Sequence, residues 1–154
     1  MLNPPHPLVR NGGRLLLTVA DMASVLAPFS ADCNDTHIFN ERWPSHARFY
    51  AVVSLGMPGS LGLFVLWQLW RNPGGRGAGR DIAAAVPISY WGSFFPALLV
   101  PGTGVDDQPH PIGRVGGVPA NVFWATVTVI AALLGWVIDA RVSAPRSTCR
   151  VKCE

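Results

Sequence analysis

A chain of 154 residues is enough for one domain. It is 49% hydrophobic and only 14% charged, against about 25% charged in soluble domains, so it has too little polar material to coat a water-facing surface. The formal net charge of +3 follows from how basic residues flank the apolar blocks, and it is no nucleic-acid footprint.

Four apolar blocks follow one another, at about residues 14–31, 49–70, 82–100 and 120–140. Crossing the hydrocarbon core of a bilayer takes roughly 20 apolar residues, within a range of about 17–25. The expected fold is all-α: a four-helix transmembrane bundle forming a single membrane domain, with a disordered tail over 141–154.

The first block is the shortest, and Asp21 interrupts it. Arg10 and Arg14 ahead of an apolar run would also suit a cleaved signal peptide. Asp21 inside the run and Pro28 directly after Val25-Leu26-Ala27 argue against cleavage, so the block is read as a span. A charged side chain at mid-bilayer costs about 2.5–3.5 kcal/mol on insertion scales. Thr18, Asp21 and Ser24 are three apart and share one helix face, which is expected to point into the bundle. Asp21 then reads as a proton donor or acceptor or a cation ligand, or, structurally, as a hydrogen-bonding partner of another helix.

Between the first two blocks lies the segment richest in chemistry: Asp32, Asn34, Asp35, Thr36, His37, Asn40, Glu41, Arg42, Trp43, His46 and Arg48. Pro44 suits a helix first turn, which puts His46 in the first turn of the second span and on one face with Tyr50. Imidazoles at His37 and His46 can serve as general acid or base near neutral pH, with Asn40 expected to fix a histidine tautomer. The spacing matches no standard zinc motif, so no metal is expected. Ile38, Phe39 and Trp43 favour a loop folded over the bundle mouth as an ordered cap. The competing reading is a purely structural loop.

In this stretch Thr36-His37-x-Phe39-Asn40-x-x-Trp43-Pro44-x-His46-Ala47-Arg48-Phe49 resembles the signature of a family of small four-span membrane proteins of unknown function from bacteria and fungi. The resemblance is closest from the end of the first span to the start of the second. It implies the four-span fold and carries no activity. The family often has His where this chain has Tyr50, which weakens any three-histidine metal reading.

Farther along, Gly56 and Ser60 form a small-xxx-small pair that suits close helix packing, and Pro58, Pro87 and Pro96 lie inside blocks two and three. Trp43, Trp67, Trp70 and Trp136 fall near block ends and read as interface anchors. Tyr90 and Trp91 fall mid-block and are expected inside the bundle. The stretches 72–79 and 101–119, the latter with Asp106, Asp107 and His110, read as Gly- and Pro-rich turns without packing. Cys33 is expected on the opposite side of the membrane from Cys149 and Cys153. The tail cysteines read as palmitoylation acceptors or as part of a disordered tail.

Basic residues orient the bundle. Arg10, Arg14, Arg71, Arg76, Arg80, Arg141, Arg146, Arg150 and Lys152 fall on one side, and Arg42, Arg48 and Arg114 on the other. Nine against three places both termini in the cytoplasm. The sequence holds no nucleotide-binding Gly-rich fingerprint, so no cofactor is expected. Two function classes remain. One is a membrane-embedded enzyme using Asp21, His37, Asn40 and His46 for acid–base chemistry, of isomerase or cyclase type, on a lipidic or isoprenoid substrate. The other is a non-catalytic membrane protein, an assembly partner or small transporter subunit. One evident buried charge and no internal repeat argue against a transporter.

Overall fold

Helix α1 runs from Pro7 to Asp32. The structure, a computed structural model, describes residues 7–71, 76–106 and 111–143. The expectations for 72–75, for Asp107 and His110, and for the tail from 144 on with Cys149 and Cys153 lie outside these residues. α1 starts seven residues before the predicted block, so Arg10 as well as Arg14 belongs to the helix. At its end the Asn34 side-chain amide donates to the Ala31 carbonyl at 2.5 Å, taking up one of the acceptors that a helix end leaves over.

α2 covers Ser45–Arg71, four residues longer at its start than the predicted block. Pro44 sits just outside the first turn, where its missing N–H costs nothing, and its carbonyl accepts from the Arg48 amide at 3.1 Å. The third segment departs most from expectation. α3 ends at Gly92 (Arg76–Gly92), and a short α4 follows over Phe94–Ala97. Pro96 explains the break: it has no N–H for the Gly92 carbonyl, and its ring crowds that carbonyl. Around it the Ser93 amide donates to Ser89 O and the Ala97 amide to Ser93 O. Beyond Ala97 the chain tightens into i→i−3 bonds, Leu98 to Phe95, Leu99 to Pro96 and Val100 to Ala97.

The stretch after α4 is not featureless. Arg114–Val115 (β1) and Val118–Pro119 (β2) pair antiparallel through Gly116 and Gly117, both with positive φ (+58° and +84°). A two-residue turn of that kind demands φ > 0 at both positions, which glycine alone adopts freely. The Asp106 carboxylate holds the turn region, meeting the Arg114 guanidinium at 3.0 Å and accepting from the Ile112 amide at 3.0 Å. α5 then runs over Ala120–Ser143.

Packing is inverted relative to a water-soluble bundle. The side chains turned inward are mostly small or polar: Ala20, Asp21 and Ser24 on α1, Gly62 on α2, Ala83 and Ala84 on α3, Ala125, Thr128, Ala132 and Gly135 on α5. Large apolar side chains point outward, with Leu63 and Leu99 73% and 83% exposed. Small inward residues let backbones approach closely where apolar surroundings give no hydrophobic drive to associate. The closest approach is between α1 and α5, which run antiparallel: Gly13 lies against the Asp139 backbone and Gly135, and Gly135 against Leu17. Gly62 meets Val25 across α1–α2, and Gly79 meets the Gln68 carbonyl across α2–α3. Among the described residues three helices, Asn11–Asp32, Ser45–Arg71 and Ala120–Ser143, are long and apolar enough to cross a membrane. With the outward apolar faces, they mark an integral membrane protein.

Candidate functional site

The inward face of α1 is a polar seam of Arg14, Thr18, Asp21 and Ser24, spaced three or four apart so that all lie along one side. Most of the seam is matched by partners from the other helices. The Thr18 hydroxyl donates to the Arg14 carbonyl at 2.8 Å and accepts from the Trp70 indole of α2 at 3.0 Å. The Ser24 hydroxyl donates to Ala20 O and accepts from the Trp91 indole of α3, both at 2.9 Å. Arg14, 3% exposed, faces the Asp139 carboxylate of α5 at 4.0 Å, and Asp139 is fully buried. The Arg14 guanidinium also lies 5.6 Å from the Trp70 ring centre, a cation–π distance.

Asp21 is the exception. It is 1% exposed, and among the described residues neither carboxylate oxygen has a hydrogen-bond partner. Leaving a carboxyl group buried and unpartnered is costly, and an acid in such a place is a functional-site hypothesis by default. The chemistry open to it is to take, hold and return a proton.

The loop between α1 and α2 is an ordered structure of its own. Backbone N–H groups donate hydrogen bonds from Ile38 to Asp32 O, Phe39 to Asn34 O, Asn40 to His37 O and Trp43 to Asn40 O. Asn40 is buried. Its side chain donates to the Thr36 carbonyl at 3.0 Å and accepts from the Arg42 amide at 3.1 Å. It therefore braces the backbone, and the group meeting the His37 ring is Thr36. The Thr36 hydroxyl donates to Asn34 Oδ1 at 2.5 Å and lies 2.8 Å from His37 Nδ1. With its single proton spent on Asn34, Thr36 can only accept, so Nδ1 carries the ring proton. His37 Nε2 then faces Asp32 at 3.8 Å, and the Trp43 ring closes on the imidazole edge-on at 5.4 Å. His46 lies exposed in the first turn of α2, edge-on to Tyr50 at 4.8 Å.

These four residues do not converge. His37 and Asn40 share the loop, His46 opens α2, and Asp21 lies deep in the bundle. From Asp21 to Asp32, which His37 faces, is eleven residues of unbroken helix, about 16 Å at 1.5 Å per residue. The pairing of Arg14 on this seam with Asp139 on α5 is not revealed by spacing, and it corrects the reading of a single buried charge. Asp139 interrupts the run Gly135-Trp136-Val137-Ile138-Asp139-Ala140 as plainly as Asp21 interrupts its own, yet its place near the block's end resembles an interface position. Trp91 is buried as expected, and Tyr90 is half-buried. Among the described residues no group of three or more His, Cys, Asp or Glu side chains is gathered as a metal site would need.

The model of a family of unknown function (DUF6640) matches residues 16–141. No curated protein and no solved structure matches the chain.

Proposed function

The chain belongs to this family of unknown function, and we propose that it is a four-span membrane protein in which Asp21 is the acid–base group acting on a lipidic or isoprenoid substrate. α3 and α4 together form the third crossing, a reading supported by the hydrogen bonds that carry the helical path past Ser93. The observation that carries the function is the buried Asp21 carboxylate, both of whose oxygens lack a hydrogen-bond partner among the described residues. A substrate that reaches such a group from the bilayer is itself apolar. Cycling between carboxylic acid and carboxylate moves a proton along an alkene or isoprenoid chain with no net oxidation, which is isomerase or cyclase chemistry. His37, Asn40 and His46 act away from Asp21 in this reading, at the end of the bundle where a polar head would sit.

A second reading, a small transporter subunit or assembly partner, is favoured by the Arg14–Asp139 pair. Three buried charged side chains in one small bundle are a feature of ion and proton pathways. The variant Asp21→Leu separates the two. We expect it to insert as the wild type does and to abolish a change in the lipid extract that wild-type expression causes. Matching extracts from wild type and variant, alongside Asp21-dependent proton uptake by proteoliposomes, would replace the enzyme with the transporter. Matching extracts without such uptake would leave Asp21 a structural group.

A further inference from the structure

We propose that the groove between the α1–α2 loop and the first two turns of α2 binds an anionic phospholipid, its phosphate on Arg48 and one acyl chain along Phe49 and Val52. The inference rests on the membrane reading above and not on the chemistry assigned to Asp21. The groove is shallow and largely open to its surroundings, with a volume of about 380 Å³, and has Ile38 and Phe39 of the loop on one side and Ser45, Arg48, Phe49 and Val52 of α2 on the other. Those four α2 positions fall on a single helix face. The opposite wall is held in place by the Ile38 and Phe39 amide bonds to Asp32 and Asn34, so the groove is built before any ligand arrives.

Its height in the membrane selects the occupant. Tyr50 and Trp70 are twenty residues apart on α2, about 30 Å at 1.5 Å per residue, which matches the hydrocarbon thickness of about 30 Å. Aromatic rings at both ends of such an interval mark the two interfaces. Phe49 and Val52 then lie at the edge of the hydrocarbon, and Arg48 lies in the layer of lipid phosphates. Among the described residues Arg48 has no carboxylate partner. Its planar guanidinium fits a phosphate through two parallel hydrogen bonds, and the Ser45 hydroxyl lines the same end as a further donor. A headgroup bearing its own ammonium would set that cation near Arg48, so the site favours phosphatidylglycerol over phosphatidylcholine. A water-soluble partner would have to follow the groove past Phe49 into hydrocarbon.

The test uses the full chain exchanged against phosphatidylcholine vesicles doped with phosphatidylglycerol, then extracted gently and weighed intact by mass spectrometry. We expect one phosphatidylglycerol retained per chain, about tenfold less retention in Arg48→Gln, the loss expected for a charge-assisted contact, and no change in Arg42→Gln. Arg48→Lys and Phe49→Ala should each lower retention, and they decide the matter if Arg48→Gln does not fold. Equal retention by Arg48→Gln and Arg42→Gln, equal retention of the two lipids, or an Arg48-dependent dimer in place of bound lipid would overturn the proposal. A chain that fails to enter the vesicles refutes the membrane reading itself. One that enters and retains no phosphatidylglycerol refutes this inference alone.

Discussion

Asp81 and Trp136 join α3 to α5 through one short bond, the indole donating to Asp81 Oδ1 at 2.7 Å. Arg80 meets the same oxygen at 2.9 Å and lies 5.7 Å from the Trp136 ring centre. The Trp136 hydrogen bond is the largest effect and holds the Asp81 carboxyl below the usual carboxylate range; burial comes next and opposes it, and Arg80 adds to the lowering. The contact is therefore at full strength above the ordinary carboxylate pKa of about 3.9 and is lost as pH falls through the lower folded value. The Trp136-dependent part of the tryptophan emission, wild type minus Trp136→Phe, should be flat from about pH 5 to 8 and shift only below about pH 4. A midpoint near neutrality would contradict the assignment. The same scale shows which site residues can be read from sequence. Asp21 is legible because an acid inside an apolar run has no cheap exposed position. The Arg14–Asp139 pair is not, because it forms only when two helices more than a hundred residues apart pack antiparallel. The role of Thr36 at His37 is equally hidden, since it depends on Asn34 having already taken the hydroxyl proton.

Between elements, glycine contacts decide how close the helices come. A Cβ on Gly135 would meet Leu17 Cγ at 2.9 Å and the Gly13 carbonyl at 3.0 Å, whereas one on Gly12 would meet nothing within 4 Å. Alanine favours a helix over glycine by roughly 0.8–1.0 kcal/mol, so Gly12→Ala should be neutral or slightly stabilising. Gly135→Ala should instead destabilise by about 1–3 kcal/mol, the range for overpacking, and Gly13→Ala likewise, since its Cβ would strike the Asp139 backbone. Thermal unfolding in detergent reads the difference, and a Gly135→Ala protein as stable as Gly12→Ala would show that α1 and α5 are not so close. The α1–α2 loop makes a parallel claim. Amides of Ile38, Phe39, Asn40 and Trp43 are all bonded within the loop, so they should exchange hydrogen slowly, and uniformly rapid exchange from Thr36 to Trp43 would mean the loop is not ordered. The apolar runs of α1, α2 and α5 and the start of α2 near Pro44 were legible, because apolar runs and proline act locally. The break at Gly92 was not, although Pro96 was visible, since proline's effect falls four residues upstream. The hairpin was within reach, because Val115-Gly116-Gly117-Val118 carries a two-residue turn signal. In a stretch so rich in Gly and Pro it read only as turns.

For the whole molecule the open question is which end faces the cytoplasm and how many times the chain crosses. Packing already sorts the ends. Arg14 faces Asp139 and Trp70, Trp70 reaches Thr18, and Asp81 meets Trp136. The start of α1, the end of α2, the start of α3 and the end of α5 therefore lie together, and the α1–α2 loop lies at the opposite end. That arrangement supports the proposal of four alternating crossings, three of them made by helices long and apolar enough to span a membrane. The basic residues argue for one orientation, with two adjustments from the structure. Arg14 is buried against Asp139, so it counts less as a retained loop charge, and Arg114 on the other side is likewise tied to Asp106. The remaining asymmetry still favours the end carrying Arg71, Arg80 and Arg141, and basic residues close to span ends are the ones that govern orientation. Reporter fusions after residues 40, 75, 110 and 154 test count and orientation together. Four crossings with cytoplasmic termini predict outside, inside, outside, inside. The decisive comparison is between 75 and 110, because only α3 and α4 separate them. α3 has 17 residues, about 26 Å at 1.5 Å per residue, slightly short of the hydrocarbon core alone and sufficient with α4 added. Reporters at 75 and 110 on the same side would mean that the Pro96 break ends the segment inside the membrane or at its surface. The chain would then cross three times, with its termini on opposite sides.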